Sequence, residues 1–241
     1  MARAGIADDI DAIDGSPVSI NIAREKASEE RLSMIHYRVA DLNRVRLPRG
    51  LYEAVVFHQS LHHVSSVEKL LERVLVSLKP NGLLFLDEWT GPSRFEWNDE
   101  KLARASSLFA AVPGRWRKWP ELRVPIEVDD PSEAVRSSAI LPAVHRLFDV
   151  LLERPYGGHL VSVLLPQLER ALIPPEELGR MIAEWLAIED ADLRQDPGSS
   201  YYTALLAAPR TGAERIAARL ASLAVRARLV IRGKLGSGLN S

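Results

Sequence analysis

The sequence predicts an α/β fold built around a mostly parallel sheet, and two observations carry this prediction. Residues 10–88 alternate in the order strand, helix, strand, strand, helix, strand. Within them, residues 51–92 have the pattern of one strand–helix–strand crossover, whose two strands are parallel and end in polar loops at the same sheet edge. Ligands bind at that edge in open α/β sheets, so candidate functional residues are expected in the loops after the strands.

The first two strands are short. Residues 10–13 are apolar enough for a strand, which ends at Asp14. Ser16 then supplies an N-cap and Pro17 the first helical position, which predicts a helix from there. Residues 34–39 predict the next strand, and Asp41 lies just past its end.

The crossover itself has clear boundaries. Residues 51–57 predict a strand that ends in the polar residues 58–60. Ser65 and Glu68 have the spacing of a capping box, and apolar residues follow them at helical spacing. A Pro-Asn-Gly turn ends that helix, and residues 83–86 predict the second strand.

The second half of the chain predicts further elements of both kinds. Its first part reads as a helical insertion or cap over the edge of the sheet where ligands are expected. Strands are expected near its end, with a long helical section between them that is broken by two prolines. The predicted segments are the insertion 93–148, with helices at 98–111 and from Ser132, the strands 149–153 and 201–208, the turn 155–158 and the proline break 174–175.

Composition narrows the functional classes. The chain has no cysteine, which excludes disulfides and thiolate metal sites. It has no apolar run long enough for a membrane span, so the cytoplasm is the expected location. Residues 1–209 carry a net charge of −7 and residues 210–241 a net charge of +6. Nucleic-acid binding is not expected, because the body is acidic and has no recognisable reading motif.

The basic tail, residues 210–241, has the pattern of an amphipathic helix. Its apolar residues recur near one helical face, with arginines beside them. One interpretation is a terminal helix with solvated arginines. The other is peripheral contact with an anionic membrane surface.

Several segments together resemble one family. They are IDGSP at 13–17, Ala-Asp-Leu at 40–42, LYEAVVFHQSLHHV at 51–64 and LKPNGLLFLDE at 78–88. On these residues the chain resembles the class I S-adenosylmethionine-dependent methyltransferases over about residues 1–208. Residues 87–97, 132–137 and 153–158 further resemble a bacterial subgroup of type 12 or type 25.

The resemblance implies a Rossmann-like domain over residues 1–209 whose last two strands are antiparallel. It also implies a first strand and a glycine-rich loop, which are missing here: no G-x-G-x-x-G occurs in the sequence. Two expectations follow. Either the start codon is placed too far downstream, or the chain is a remnant with weakened cofactor binding.

The resemblance also implies roles for residues that match its motifs. Asp14 is expected to bind the ribose hydroxyls of S-adenosylmethionine. Asp41 and Leu42 are expected to contact the adenine, the carboxylate through the exocyclic amine and the leucine by packing on the ring. His58 lies at the end of its strand, beside the expected position of the reactive methyl group.

Two further groups of residues are candidates on the acceptor side. Any one of three histidines could act as a general base, since imidazole titrates near neutrality. We predict no metal site, because the His58–His62 spacing falls in a loop with no cysteine or carboxylate cluster nearby. The histidines are His58, His62 and His63, and the expected acceptor-binding residues are Glu88, Trp89, Arg136 and Tyr156.

The sequence therefore favours methyl transfer from S-adenosylmethionine to a small-molecule acceptor. The alternative is a non-catalytic, methyltransferase-like protein that serves as an interaction or structural partner and binds no cofactor.

Overall fold

A computed structural model describes residues 2–97, 99–124 and 130–210. Its contacts divide the chain into two compact units, with the boundary between Leu47 and Pro48. The predicted basic tail, apart from Arg210, lies outside the described residues, and its two interpretations stay predictions. The predicted domain boundaries also stay predictions. Across the described part of the chain, no helix has both the length and the apolarity needed to cross a membrane.

The first unit contains one parallel strand pair and the helix that connects it. Ser16 caps the helix by accepting a hydrogen bond from the backbone N–H of Ser19, as the sequence predicts. Ile20 and Ala27, seven residues apart on that helix, are buried. The elements are β1 (Ile10–Asp14), α1 (Pro17–Glu29) and β2 (Ile35–Val39).

The second unit is built on a four-stranded mixed sheet in the order β3-β4-β6-β5. β3 and β4 are parallel, whereas β6 is antiparallel to both of its neighbours. The predicted crossover and the predicted antiparallel final pair are thus both present. The strands are β3 (Tyr52–His58), β4 (Leu78–Trp89), β5 (Phe148–Pro155) and β6 (Tyr202–Pro209), and the helices are α2 (Val67–Ser77), α3 (Asp99–Ala111), α4 (Ile140–Leu147), α5 (Val161–Leu164) and α6 (Pro175–Gln195).

The strands and helices together confirm the predicted α/β, Rossmann-like class. The described part of the chain holds six strands in two separate sheets, in place of the single sheet that the resemblance implies. Among the described strands, β1 is hydrogen-bonded only to β2, and β3 only to β4. Both sheets nevertheless end their parallel strands in the predicted polar loops.

Two predicted boundaries are wrong for local reasons. No helix begins at Ser132, because its N–H and hydroxyl both donate to Asp130 Oδ1 in a tight turn and Ala134 has a φ of +48°. The helix begins later, at Ile140. The Pro-Asn-Gly turn is absorbed into β4 as an irregularity, where a Cβ on Gly82 would meet backbone oxygens at 3.0 Å.

The capping box also differs from the prediction. α2 begins at Val67, and the residue before it, Ser66, makes no side-chain capping bond. Glu68 instead accepts two hydrogen bonds from the Arg136 guanidinium, at 2.8 and 2.7 Å. The carboxylate thus joins α2 to the loop that precedes α4.

The second unit has a distinct helical core on α3, α5 and α6. Phe109 on α3 is 1% exposed, and it belongs to the same buried cluster as Val163 and Leu164 on α5 and Met181 and Trp185 on α6. Met181 and Trp185 are 7% and 3% exposed, so α6 packs on this core through them.

We expect Phe109→Ala to lower the free energy of unfolding by about 3–5 kcal/mol, since it removes a fully buried ring and leaves a cavity. Urea unfolding followed by circular dichroism measures this change. Leu172→Ala is the matched control, because Leu172 is 63% exposed, and its effect is expected to stay within about 0.5 kcal/mol. Equal destabilisation by the two substitutions would contradict the assigned core.

Candidate functional site

The loop after β3 is held in place by a buried carboxylate. Glu88, near the end of β4, is completely buried. Its Oε1 accepts hydrogen bonds from the backbone N–H groups of Ser60 and Leu61, both at 2.7 Å, and its Oε2 lies 2.8 Å from His62 Nδ1. These contacts of the buried Glu88 side chain thus fix the loop that follows β3. The predicted contact of Glu88 with the acceptor stays a prediction.

A second carboxylate, Asp87, lies on the opposite face of the same strand. Its Oδ2 is 3.0 Å from His58 Nδ1, and its Oδ1 accepts a 2.6 Å hydrogen bond from the Tyr156 hydroxyl. Burial, and then the hydrogen bond to Asp87, raises the pKa of Tyr156 above its usual range, which keeps the hydroxyl as a donor.

The register explains why these groups meet. His58 is paired with Asp87 across the parallel β3–β4 ladder, so their side chains are neighbours. Sequence reasoning missed Asp87, because residues 83–86 are all apolar and do not reveal which face of β4 is buried. Leu84 and Leu86 alternate with more exposed residues along β4, and this period of two places Glu88 on the buried face and Asp87 on the other.

His62 and His63 turn toward a different carboxylate. Both belong to the short helical turn Leu61–His63, and their ring centroids are 4.3 Å apart. Their Nε2 atoms lie 3.7 and 3.5 Å from the two carboxylate oxygens of Glu133. The three predicted histidines therefore divide into His58 with Asp87, and His62 and His63 with Glu133.

Trp89 belongs to an aromatic cluster at the end of β4. Its ring lies against those of Trp97, Tyr201 and Tyr202, with centroids 5.1 to 6.4 Å away. Burial raises the pKa of Tyr201 to about 12. Tyr202 also stacks on Tyr156, so the cluster joins two of the predicted acceptor-binding residues.

Three of the cofactor candidates, Asp14, Asp41 and Leu42, belong to the first unit, at the carboxyl ends of β1 and β2, whereas His58 belongs to the second unit. The Asp14 carboxylate accepts a 2.6 Å hydrogen bond from the backbone N–H of Ser16. The Asp41 carboxylate accepts from the backbone N–H and the side-chain amide of Asn43, at 2.8 and 3.1 Å. Leu42 is half-buried. Parallel pairing of the strands brings both acidic residues to one edge of this sheet.

A comparison with protein families supports the resemblance seen in the sequence. Residues 1–86 match the family model described as a methyltransferase domain. The matched residues make up about one third of the chain. A comparison with curated proteins finds no significant match.

Similar solved structures are distant. The cyclase SpnF is 19% identical, with 86% of this chain and 68% of that one covered and a TM-score of 0.49. A geranyl diphosphate methyltransferase in complex with SAM is 16% identical over 87% and 72% of the two chains, with a TM-score of 0.46. A SAM-dependent methyltransferase from Aquifex aeolicus is 23% identical over 39% and 50%, with a TM-score of 0.33. At these TM-scores the likenesses carry no functional argument.

The ion pair of Arg136 gives a pH-dependent prediction. The hydrogen bonds from Arg136 lower the pKa of Glu68 below its ordinary 4.5. A lowered folded-state pKa contributes stability above the unfolded-state pKa and loses it as the pH falls through the folded-state value. We therefore expect Arg136→Met to destabilise the protein near pH 7, with a difference from wild type that narrows as the pH falls below 4.5.

Urea unfolding at a series of pH values checks this expectation. Arg170→Met serves as the control, because it removes the same charge from an exposed position. A difference between wild type and Arg136→Met that does not change with pH would show that the ion pair contributes little.

Proposed function

We propose that this protein transfers a methyl group from S-adenosylmethionine to a small-molecule acceptor. The match of residues 1–86 to a methyltransferase domain carries the proposal. S-adenosylmethionine supplies the methyl group, while the chain binds the reactants and removes a proton from the acceptor.

The chemistry of Asp14 and Asp41 fits the proposed cofactor. Both residues are exposed at one edge of the first sheet. A carboxylate accepts about four hydrogen bonds, so the single turn bond at Asp14 leaves capacity for two ribose hydroxyls. Asp41 would accept from the adenine amine, with Leu42 against the ring.

Calorimetric titration with S-adenosylmethionine tests cofactor binding. We expect measurable binding to the wild type and none to Asp14→Ala, because the substitution removes the acceptor for the ribose hydroxyls. Asp8→Ala is the matched control, since it removes the same charge from an exposed position before β1.

The alternative, a non-catalytic interaction protein, has its own support. The turn bonds of Asp14 and Asp41 are sufficient by themselves to explain both residues. A folded wild-type sample that gives no heat with S-adenosylmethionine would favour this alternative and contradict the proposed transfer.

His58 is the proposed general base. A carboxylate only accepts hydrogen bonds, so Asp87 holds the proton on His58 Nδ1 and leaves the lone pair on Nε2. The His58 side chain is 71% exposed, which makes Nε2 accessible to an acceptor. There it would take the proton that a hydroxyl or amine loses on methylation. Tyr156 and Trp89 remain proposed contacts of the acceptor.

We expect His58→Gln to lower kcat by about 10²- to 10⁴-fold, the usual contribution of a positioned base. The rate is the release of S-adenosylhomocysteine with an acceptor found by screening small alcohols and amines. His145→Gln is the matched control, because it removes an exposed histidine that pairs with Glu153. Its kcat is expected to equal that of the wild type.

Asp87→Asn tests the positioning role by a measurement that needs no acceptor. Nitrogen-15 NMR of the histidine rings is expected to show the proton on Nδ1 of His58 in the wild type and a mixture of tautomers in the variant. An unchanged tautomer would remove Asp87 from the proposed mechanism.

A further inference from the structure

His62, His63 and Glu133 bring three possible metal ligands to one place. One possible ligand atom from each of the three residues lies within 4.8 Å of those of the other two. We propose that they form a site for a divalent transition metal ion such as Zn²⁺. The inference goes beyond the proposed methyl transfer and does not depend on it.

The distances in the group suit a shared ion better than direct hydrogen bonds. His62 Nε2 and His63 Nε2 lie 3.7 and 3.5 Å from the Glu133 oxygens, beyond the usual 2.7–3.2 Å of an N–H···O bond. Ligands 2.0–2.1 Å from a tetrahedral zinc ion are about 3.4 Å apart. The His–Glu separations are therefore close to those around a metal ion.

The partners of the opposite ring nitrogens fix the tautomer that a metal requires. Glu88 Oε2 lies 2.8 Å from His62 Nδ1, and an ionised carboxylate can only accept, so the proton lies on Nδ1. The lone pair of His62 is then on Nε2, directed to the Glu133 side. A buried carboxylate behind a histidine is the usual support of a metal-binding imidazole.

His63 has an equivalent support of its own. The Ser132 hydroxyl donates to Asp130 Oδ1 at 2.6 Å, so its oxygen is left to accept from His63 Nδ1 at 3.1 Å. The lone pair of His63 is then also on Nε2. Two lone pairs and one carboxylate converge without a proton between them, and a cation at their centre satisfies all three.

The burial of the site also favours the binding of an ion. His62 is 5% exposed and its Glu88 partner is completely buried, so neither side chain loses much freedom on binding an ion. Glu133 and His63 are about one-third exposed, which gives an ion access from solvent. Two histidines and one carboxylate leave one position of a tetrahedral shell open for water or a small ligand.

Zinc titration of metal-free, untagged protein tests the proposal without cofactor or acceptor. We expect the wild type to bind one Zn²⁺ per chain by calorimetry and Co²⁺ to give the visible absorption of a tetrahedral site. Glu133→Gln and His63→Gln are each expected to weaken binding by at least about tenfold. Glu153→Gln is the matched control, because Glu153 also faces a histidine, His145, and its loss should leave binding unchanged.

Glu88→Gln adds a test of the supporting carboxylate. An amide at this position no longer fixes the proton on His62 Nδ1, and we expect the zinc affinity to fall by about 10- to 100-fold. Circular dichroism establishes whether each variant is folded. If a carboxylate variant does not fold, the zinc affinity of His63→Gln decides whether the site exists.

The absence of saturable one-to-one zinc binding by the wild type would overturn the proposal. So would equal affinities of the wild type, Glu133→Gln and His63→Gln. Because S-adenosylmethionine is absent from these titrations, they can succeed where the proposed methyl transfer fails, and the reverse.

Discussion

The site in the second unit depends on one buried ion, the carboxylate of Glu88. Burial of an ionised carboxylate costs several kcal/mol unless hydrogen bonds replace its hydration. The backbone N–H groups of Ser60 and Leu61 and the ring of His62 supply those bonds. The loop depends on the carboxylate in turn, because movement of the loop after β3 would leave the buried charge of Glu88 without its hydrogen bonds. A loop that follows a strand is ordinarily the mobile part of an α/β fold, and here an internal charge fixes it.

A second buried carboxylate, on a helix, fixes a loop in the same way. Glu189 of α6 is 2% exposed, and its carboxylate accepts from the backbone N–H groups of Gly158, Leu160 and Val161. It fixes the loop that follows Tyr156, which in turn donates to Asp87. Two buried carboxylates thus hold the loops next to the histidine and tyrosine neighbours of Asp87. Hydrogen bonds from backbone N–H groups to buried carboxylates hold these loops, whereas apolar packing supplies the core on α3, α5 and α6.

The sequence predicted the elements that depend on local signals. Ser16 and Pro17 began a helix where expected, and apolar runs located the strands, because capping and periodicity act over a few residues. Local signals could not predict which carboxylates lie beside the histidines. Glu133 reaches His62 and His63 only because the chain returns after about seventy residues, and no periodicity encodes that approach. The pairing of the Arg136 guanidinium with Glu68 is another long-range contact of this kind, and the expected contact of Arg136 with the acceptor stays a prediction.

Adjacent acidic residues on one strand account for the division of the histidines. Successive side chains of β4 point to opposite faces, so Asp87 and Glu88 reach different neighbours although they are consecutive. Asp87 holds the Nδ1 proton of an exposed histidine, which leaves a basic nitrogen in contact with solvent. Glu88 holds the Nδ1 proton of the buried His62, and the Nε2 of His62 faces a third carboxylate, Glu133, in place of solvent. One pleated strand thereby produces two chemically different imidazoles four residues apart. The first is suited to accept a proton from a substrate, and the second, with its neighbour, is suited to bind a cation.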